Sequence, residues 1–279
     1  MEQQTAQAMT VRRMNFAFTA DMERVFVKGD PDLSYTFLGT WMMLPYLEPY
    51  LIRSMRQALP HITDPALRDD LKRFCAQEGE HFKQHAQANE LIRGLVPGFA
   101  VLKPIEAALD AEFKAFSKDK PLKFNLAYAE GFESMTSAMS RTQLETHMFD
   151  RTDSPLGALA RWHVMEEVEH RTVAFDVYEH VVGRYLYRLR IGLWAQSHFI
   201  GWGTRLAKAM KVADPATFER FQDADSVAER KAFTKMFWKK GLPRLLQTYL
   251  PGYDPRRVDL PREDEDARRE FSGVAISLA

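Results

Sequence analysis

The sequence predicts an all-α protein, and three observations lead to that prediction. Apolar residues recur mostly three and four positions apart, which is the spacing of an amphipathic helix, whereas the strict alternation of a half-buried strand is scarce. Proline, glycine and aspartate clusters interrupt this pattern at intervals that fit medium to long helices. Hydrophobic residues make up 46% of the 279 positions, which is enough for a sizeable core.

Capping signals set the expected helix boundaries. Asp64-Pro65 is typical of an N-cap followed by proline at the first helical position, and Val96-Pro97-Gly98 ends the same helix. Polar segments at 117–121 and 152–155 separate the next helices. We expect long helices near residues 32–58, 65–93, 122–149 and 156–183, and shorter ones near 10–27, 99–116, 184–212, 215–222 and 226–247.

The lengths of the connections predict how the long helices pair. Short links join helix 32–58 to helix 65–93 and helix 122–149 to helix 156–183, so each pair is expected to pack antiparallel. Two such hairpins joined by one long crossover form the topology of a ferritin-like four-helix bundle. We expect one helical domain over residues 1–250, with the bundle at about 32–183, a helical extension at about 184–250 and a polar tail at 251–279.

Two of the long helices carry the same Glu-x-x-His spacing, with Glu78 and His81 on one and Glu167 and His170 on the other. Residues three apart share a helix face, and here that face is also the apolar one. A single Glu-x-x-His is more often a solvated pair. Its repetition on two apolar helix faces is typical of dinuclear iron and manganese bundles, which add one glutamate from each of two further helices.

Two further glutamates complete such a ligand set, because Glu48 and Glu133 each lie near the middle of an apolar helix face. Moving each carboxylate ion out of water costs on the order of several kcal/mol. The four positive charges of two divalent cations would offset the four negative charges of these carboxylates. Mixed carboxylate and imidazole ligation favours iron first and manganese second, and zinc is also compatible. The predicted ligands are Glu48, Glu78, His81, Glu133, Glu167 and His170.

Four neighbouring residues remain open as alternatives or additions. Glu130 competes with Glu133, and Glu166 competes with Glu167, because each pair lies close together on its helix. Two further residues, His85 and His163, fall on the same inward faces. They are either additional ligands or hydrogen-bond partners of the ligands.

The segments around the predicted ligands share a wider pattern. Residues 44–48, 74–81 and 162–170 resemble a bacterial family named "predicted metal-dependent hydrolase", and the resemblance covers roughly residues 11–255. It implies a helical metal-binding protein whose hydrolytic activity is itself a prediction. The sequence departs from the family pattern at Leu47, where glycine is usual, and at Ser134, where histidine is frequent.

We expect a dinuclear carboxylate enzyme, and favour an oxygen-activating di-iron oxidoreductase that acts on a hydrophobic organic substrate. The alternative is a metal-dependent hydrolase that uses a metal-activated water. A non-enzymatic metal store is the second alternative. No serine or cysteine nucleophile motif offers another route, and Cys75 is expected to be a core residue.

Charge and composition restrict the partners. The 38 basic residues equal the 38 acidic ones, so no global field favours nucleic acid. The single cysteine fits a reducing compartment, and no apolar run has the length of a membrane span, so we expect a soluble, cytoplasmic protein with a small-molecule, lipid-like substrate. The aromatic and basic stretch 185–210 predicts a helix that packs on the bundle or on a second copy in a homodimer. Contact with a membrane surface is its less favoured alternative.

Overall fold

The computed structural model describes residues 9–27, 29–150, 154–221 and 224–274. Within these ranges the chain forms helices and no β-strand, so the all-α prediction is confirmed. Part of the predicted break at 152–155 lies outside the described residues. The helices are α1 (Pro31–Trp41), α2 (Leu44–Ala58), α3 (Pro65–Leu95), α4 (Leu102–Asp119), α5 (Leu122–Glu145), α6 (Pro155–Glu169), α7 (Val173–Val181), α8 (Tyr185–Ala213), α9 (Pro215–Glu219), α10 (Ala224–Gln247) and α11 (Arg262–Glu270).

The helix expected over 32–58 is two helices, because the chain breaks at Met42 and Met43 between α1 and α2. Pro45 explains the break. In a continuous helix its ring would clash with the carbonyl of Trp41, and it has no N–H to donate. In the first turn of α2 neither problem arises, since the first N–H groups of a helix have no partner within it.

The helix expected over 156–183 is also divided, with α6 ending at Glu169 and α7 beginning at Val173. The guanidinium of Arg171 donates to the carbonyl of Val168 at 2.9 Å. A continuous helix would offer that carbonyl to the N–H of Thr172. The second Glu-x-x-His motif therefore spans the end of α6, and His170 is the first residue beyond it.

The prediction of a helix over residues 10–27 was wrong. The described residues 9–27 run along the bundle without helical structure, and side chains of α3 bind their backbone. Gln77 donates to the carbonyl of Thr10 and Gln84 to that of Met14, both at 2.9 Å. These bonds replace the ones that a helix would have made within itself.

The contacts between helices follow the predicted pairing. Helix α2 packs on α3, and α5 packs on both α6 and α7. The ferritin-like classification and the division into bundle, extension and tail stay predictions. The stretch beyond Pro251, expected as a polar tail, contains α11, which packs against α5 and α6. Ala267 of this helix and Phe271, the residue that follows it, are buried. None of the described helices combines the length and hydrophobicity that a membrane span requires.

Helix α8 packs against α1 and α5 at near backbone contact. A Cβ atom on Gly131 of α5 would lie 2.2 Å from the Cα atom of Gly192 in α8. A Cβ atom on Gly39 of α1 would lie 2.6 Å from the carbonyl oxygen of Gly203. These glycines allow α8 to lie directly against α1 and against α5, the helix that carries Glu133.

Candidate metal centre

The six predicted ligands lie together in the protein interior. Glu48 comes from α2, Glu78 and His81 from α3, and Glu133 from α5. Glu167 lies in the last turn of α6, and the break after that helix places His170 beside it. None of the six is more than 3% exposed. The apolar helix faces in the sequence therefore identified groups that meet in three dimensions.

Four of these residues converge on one point. The Nε2 atom of His170 lies 3.2 Å from Glu133 Oε2 and 3.5 Å from both Glu78 Oε1 and Glu167 Oε2. All four residues offer ligand atoms within 4.8 Å of one another. Glu48, Glu78 and His81 form a second group of the same dimensions. Three carboxylates around one imidazole suit a divalent transition-metal ion.

Several of these buried atoms have no hydrogen-bond partner among the residues that the structure describes. Buried polar atoms are almost always paired, and leaving one unpaired costs roughly 1–3 kcal/mol, so a cluster of them indicates a missing partner. Cations between the side chains would supply it, which shows that the residues fit a metal. The unpaired atoms are both carboxylate oxygens of Glu48 and of Glu133, Glu78 Oε1, Glu167 Oε2, His81 Nδ1 and His170 Nε2.

The other nitrogen of each motif histidine is hydrogen-bonded away from the cluster. Nε2 of His81 lies 3.1 Å from Glu166 Oε2, and Nδ1 of His170 lies 3.1 Å from the side-chain oxygen of Gln77. The Gln77 oxygen can only accept, so Nδ1 of His170 carries a proton. Nε2 of His81 donates to Glu166 when Glu166 is ionised, and burial raises the pKa of Glu166 to about 8. When the rings are neutral, these tautomers leave Nδ1 of His81 and Nε2 of His170 with lone pairs that face the carboxylates, as metal ligation requires.

Protonation shows how the cluster behaves without cations. Burial and neighbouring carboxylates raise the pKa of Glu48 and Glu78 well above the usual range, and burial with Glu167 raises that of Glu133 to about 7. Burial opposes charge on Glu167 and His170, but their mutual attraction outweighs it. The pKa of Glu167 is therefore lowered and that of His170 raised. Protons thus supply part of the positive charge that metal ions would bring.

A family model described as "predicted metal-dependent hydrolase" matches residues 10–259. The chain belongs to this family. The resemblance seen in the sequence is thereby confirmed, and metal dependence agrees with the clustered carboxylates and imidazoles. No curated protein and no solved structure matches the chain.

The two departures from the family pattern lie beside the centre. Leu47 is fully buried in the core next to Glu48. The hydroxyl of Ser134 donates to Glu130 Oε1 at 2.7 Å, and Arg188 of α8 donates to the same oxygen at 2.8 Å. Glu130 is therefore held in an ion pair with α8, and the structure brings Glu133 rather than Glu130 to the centre of this hydrolase-family protein.

Glu166 also lies outside the ligand clusters and supports them from behind. Arg12 donates to Glu166 Oε1 and to Glu169 Oε2, both at 2.9 Å. Gln77 donates to the same Glu169 oxygen at 2.6 Å, and Arg268 of α11 ion-pairs with Glu169 at 2.5 Å. Sequence reasoning missed both arginines, because neither segment showed a pattern that would bring it to the centre.

His85 and His163 do join the cluster. Together with Glu48 they offer ligand atoms within 4.8 Å of one another. His163 also lies 2.9 Å from Glu167 Oε1, measured from its Nε2 atom. Its side chain is 13% exposed, whereas the other clustered residues are nearly inaccessible. In this family member the centre therefore comes closest to solvent at His163.

Proposed function

We propose that this protein is a metal-dependent hydrolase whose centre holds two divalent metal ions. The observation that carries the proposal is the set of buried carboxylate and imidazole atoms without hydrogen-bond partners, on residues from four helices. Family membership supports hydrolysis over the other activities that these ligands could serve. The proposed ligands are Glu48, Glu78, His81, Glu133, Glu167 and His170.

When bound, such ions would lower the pKa of a coordinated water molecule and polarise an ester or phosphate oxygen. The protein supplies position and surroundings. Glu166 and Gln77 hold the two motif imidazoles in the ligating tautomer. Burial of the carboxylates keeps bulk water away and strengthens their electrostatic interactions. Partly exposed His163 marks where a substrate would reach the centre.

The aromatic surroundings favour an apolar substrate. The rings of Trp162 and Phe74 pack edge-on against His81 and His170, with centroids 4.8 Å and 4.9 Å apart. Trp41 packs in the same way against His85 at 5.1 Å. We propose a small organic ester with a hydrocarbon part, of the lipid-like kind, as the substrate class.

An oxygen-activating di-iron oxidoreductase is the second candidate. It is favoured by one observation, namely that the ligand set has the composition of di-iron helix bundles, with four glutamates and one histidine per motif. Both activities need the same two metal positions, and they differ in whether the metal changes its oxidation state. A metal store would need far more than two ions per chain.

The deciding experiment loads metal-free protein with zinc under anaerobic conditions and measures hydrolysis of aryl esters of increasing chain length and of aryl phosphates. We expect turnover with zinc and loss of at least 99% of it in Glu133→Gln. Glu90→Gln is the matched control, because Glu90 lies on the exposed face of α3. Absence of turnover with zinc, together with oxygen uptake by the ferrous protein, would replace the hydrolase proposal with the oxidoreductase.

A further inference from the structure

We propose that the two metal positions are chemically unequal, one rich in imidazole and the other rich in carboxylate. The first position is formed by His85, His163 and Glu48, the second by Glu78, Glu133, Glu167 and His170, and His81 lies at the border between them. This inference rests on the proposed two-metal function and assigns His85 and His163 as ligands beyond the two Glu-x-x-His motifs.

Three imidazoles pack together on one side of the centre. The rings of His81 and His163 stack with centroids 4.2 Å apart, and those of His85 and His163 lie 4.7 Å apart. Nε2 of His85 and Nδ1 of His163 are separated by only 2.6 Å, so a single shared proton holds the two rings together. A cation between the rings would take over the role of that proton.

Unpaired atoms on the same side complete the argument. Both carboxylate oxygens of Glu48 have no hydrogen-bond partner within the described ranges, whereas the unpaired Nδ1 of His81 lies 3.7 Å from Glu78 Oε1 and 3.9 Å from Glu167 Oε1. Glu48 forms one ligand group with His85 and His163 and another with Glu78 and His81. Its carboxylate therefore lies at the border between the imidazoles and the other carboxylates.

The two donor sets prefer different metals. Imidazole-rich sites suit zinc, copper, iron and nickel, whereas carboxylate-rich sites suit manganese and magnesium. Zinc also exceeds manganese in general affinity. The first zinc ion to bind should therefore occupy the imidazole-rich position and leave the carboxylate-rich position for manganese.

The test adds one equivalent of zinc to the metal-free protein, then excess manganese, and measures both by elemental analysis and manganese electron paramagnetic resonance. We expect one zinc and one manganese ion per chain, with the manganese signal of an isolated ion. In His163→Gln and in the double variant with His85→Gln, zinc affinity should fall at least tenfold while manganese is retained. Exposed His61 supplies the matched control, His61→Gln.

Two outcomes separate this inference from the proposed function. A wild-type protein that binds neither metal would overturn both. Two bound ions per chain, with zinc affinity unchanged in His163→Gln and in the double variant, would overturn the unequal positions alone. His163→Gln should fold like the wild type, because the side chain of His163 is partly exposed. An unchanged circular dichroism spectrum would show that any loss of zinc affinity is not a loss of folding.

A separate observation concerns the outer surface of α8. One face of this helix presents Leu186, Leu193 and Ile200, which are 76%, 47% and 56% exposed. Basic residues share that face, and α8 contains no aspartate or glutamate. The face, here called the α8 stripe, consists of Leu186, Arg190, Leu193, Ser197, Ile200, Thr204 and Lys208.

We infer that the α8 stripe contacts an anionic lipid surface. No described carboxylate lies within 4 Å of the charged group of Arg190 or of Lys208, so these cations are available to phosphate or carboxylate headgroups. In a two-fold dimer through this face the stripe would meet its own copy, and cations would face cations. An apolar face with basic residues is the composition of interfacial helices, and the stripe is roughly 33 Å long.

Sedimentation with vesicles tests this second inference. We expect the protein to pellet with vesicles that contain phosphatidylserine, to stay in solution with pure phosphatidylcholine, and to bind more weakly at high salt. Leu193→Gln with Ile200→Gln, and separately Arg190→Glu with Lys208→Glu, should each reduce binding at least tenfold. Val101→Gln, at an exposed apolar residue outside the α8 stripe, should not. Failure to pellet, or a dimer that Arg190→Glu dissociates, would overturn the inference.

Discussion

Nε2 of His81 lies 3.1 Å from Oε2 of Glu166, and this contact determines which nitrogen of His81 faces the candidate metal centre. Glu166 adjoins Glu167 in the sequence, yet the two carboxylates have different partners. One fixes the ring of His81 from behind, while the other lies among the proposed ligands.

Replacing Glu166 should weaken metal binding without removing a ligand. In Glu166→Ala, Nε2 of His81 loses its acceptor, and both the tautomer and the orientation of the ring become variable. We expect metal affinity to fall 10- to 100-fold, which is the usual effect of removing such a partner. Competition with a chromophoric chelator measures this. Glu166→Gln retains an acceptor oxygen and should recover part of the loss, whereas equal affinity in Glu166→Ala and wild type would contradict the role.

Glu133→Gln should stabilise the metal-free protein at alkaline pH. The pKa of Glu133 is raised to about 7 from its ordinary 4.5, so the folded state binds more protons than the unfolded state between these values. Stability therefore falls as pH rises through that window, by about 3 kcal/mol in total. Glu133→Gln does not lose stability in this way, because glutamine does not titrate. Urea titrations should show equal stability below about pH 4.5, where Glu133 is protonated in both states, and a more stable variant at pH 8.

Adding metal should reverse that order. Metal ions bind the folded wild type and raise its free energy of unfolding by mass action, whereas Glu133→Gln has lost a proposed ligand. Melting curves with and without zinc at pH 8 supply the comparison. A variant that gains as much thermal stability from zinc as the wild type would argue against ligation by Glu133.

Removing Arg12 should destabilise the fold. Its guanidinium is buried and contacts both Glu166 and Glu169, so Arg12→Ala leaves buried carboxylates short of a partner. Breaking a buried pair in this way costs about 3–5 kcal/mol. Arg13 is exposed and adjacent, and Arg13→Ala should change stability by less than about 0.5 kcal/mol. Denaturant unfolding of the two variants provides a matched comparison.

The close approach of α5 and α8 predicts opposite effects at two glycines. A methyl group at Gly131 would meet the backbone of Gly192, so Gly131→Ala should cost about 3 kcal/mol by forcing the helices apart. Gly201 lies within α8, and no atom lies near its Cβ position. Gly201→Ala should raise the free energy of unfolding by about 1 kcal/mol, because alanine has the higher helix propensity. The same sign of change in both variants would contradict the packing described for α8.

The sequence predicted the helices and the clustered ligands because both depend on a periodicity that can be read locally. The spacing from Glu78 to His81 places both on one helix face whatever surrounds them. The break after Glu169 depends on the side chain of Arg171, which competes for a backbone carbonyl, and helical spacing carries no signal for such competition. The non-helical course of residues 9–27 likewise depends on Gln77 and Gln84, side chains about seventy positions away.

Choosing between neighbouring glutamates also required the fold. Glu130 and Glu133 are three residues apart, and their periodicity is almost the same. Arg188 on α8 decides between them, since it pairs with Glu130. A distant contact also distinguishes Glu166 from Glu167, because Arg12 pairs with Glu166.

Glu169 forms ion pairs with two arginines that lie far apart in the sequence, Arg12 and Arg268. A ribosome would release Arg268 some 250 residues after Arg12. Until then, the carboxylate behind His170 lacks half of its counter-charge. Maturation of the centre should consequently follow synthesis of α11, and a protein shortened before α11 would bind metal poorly.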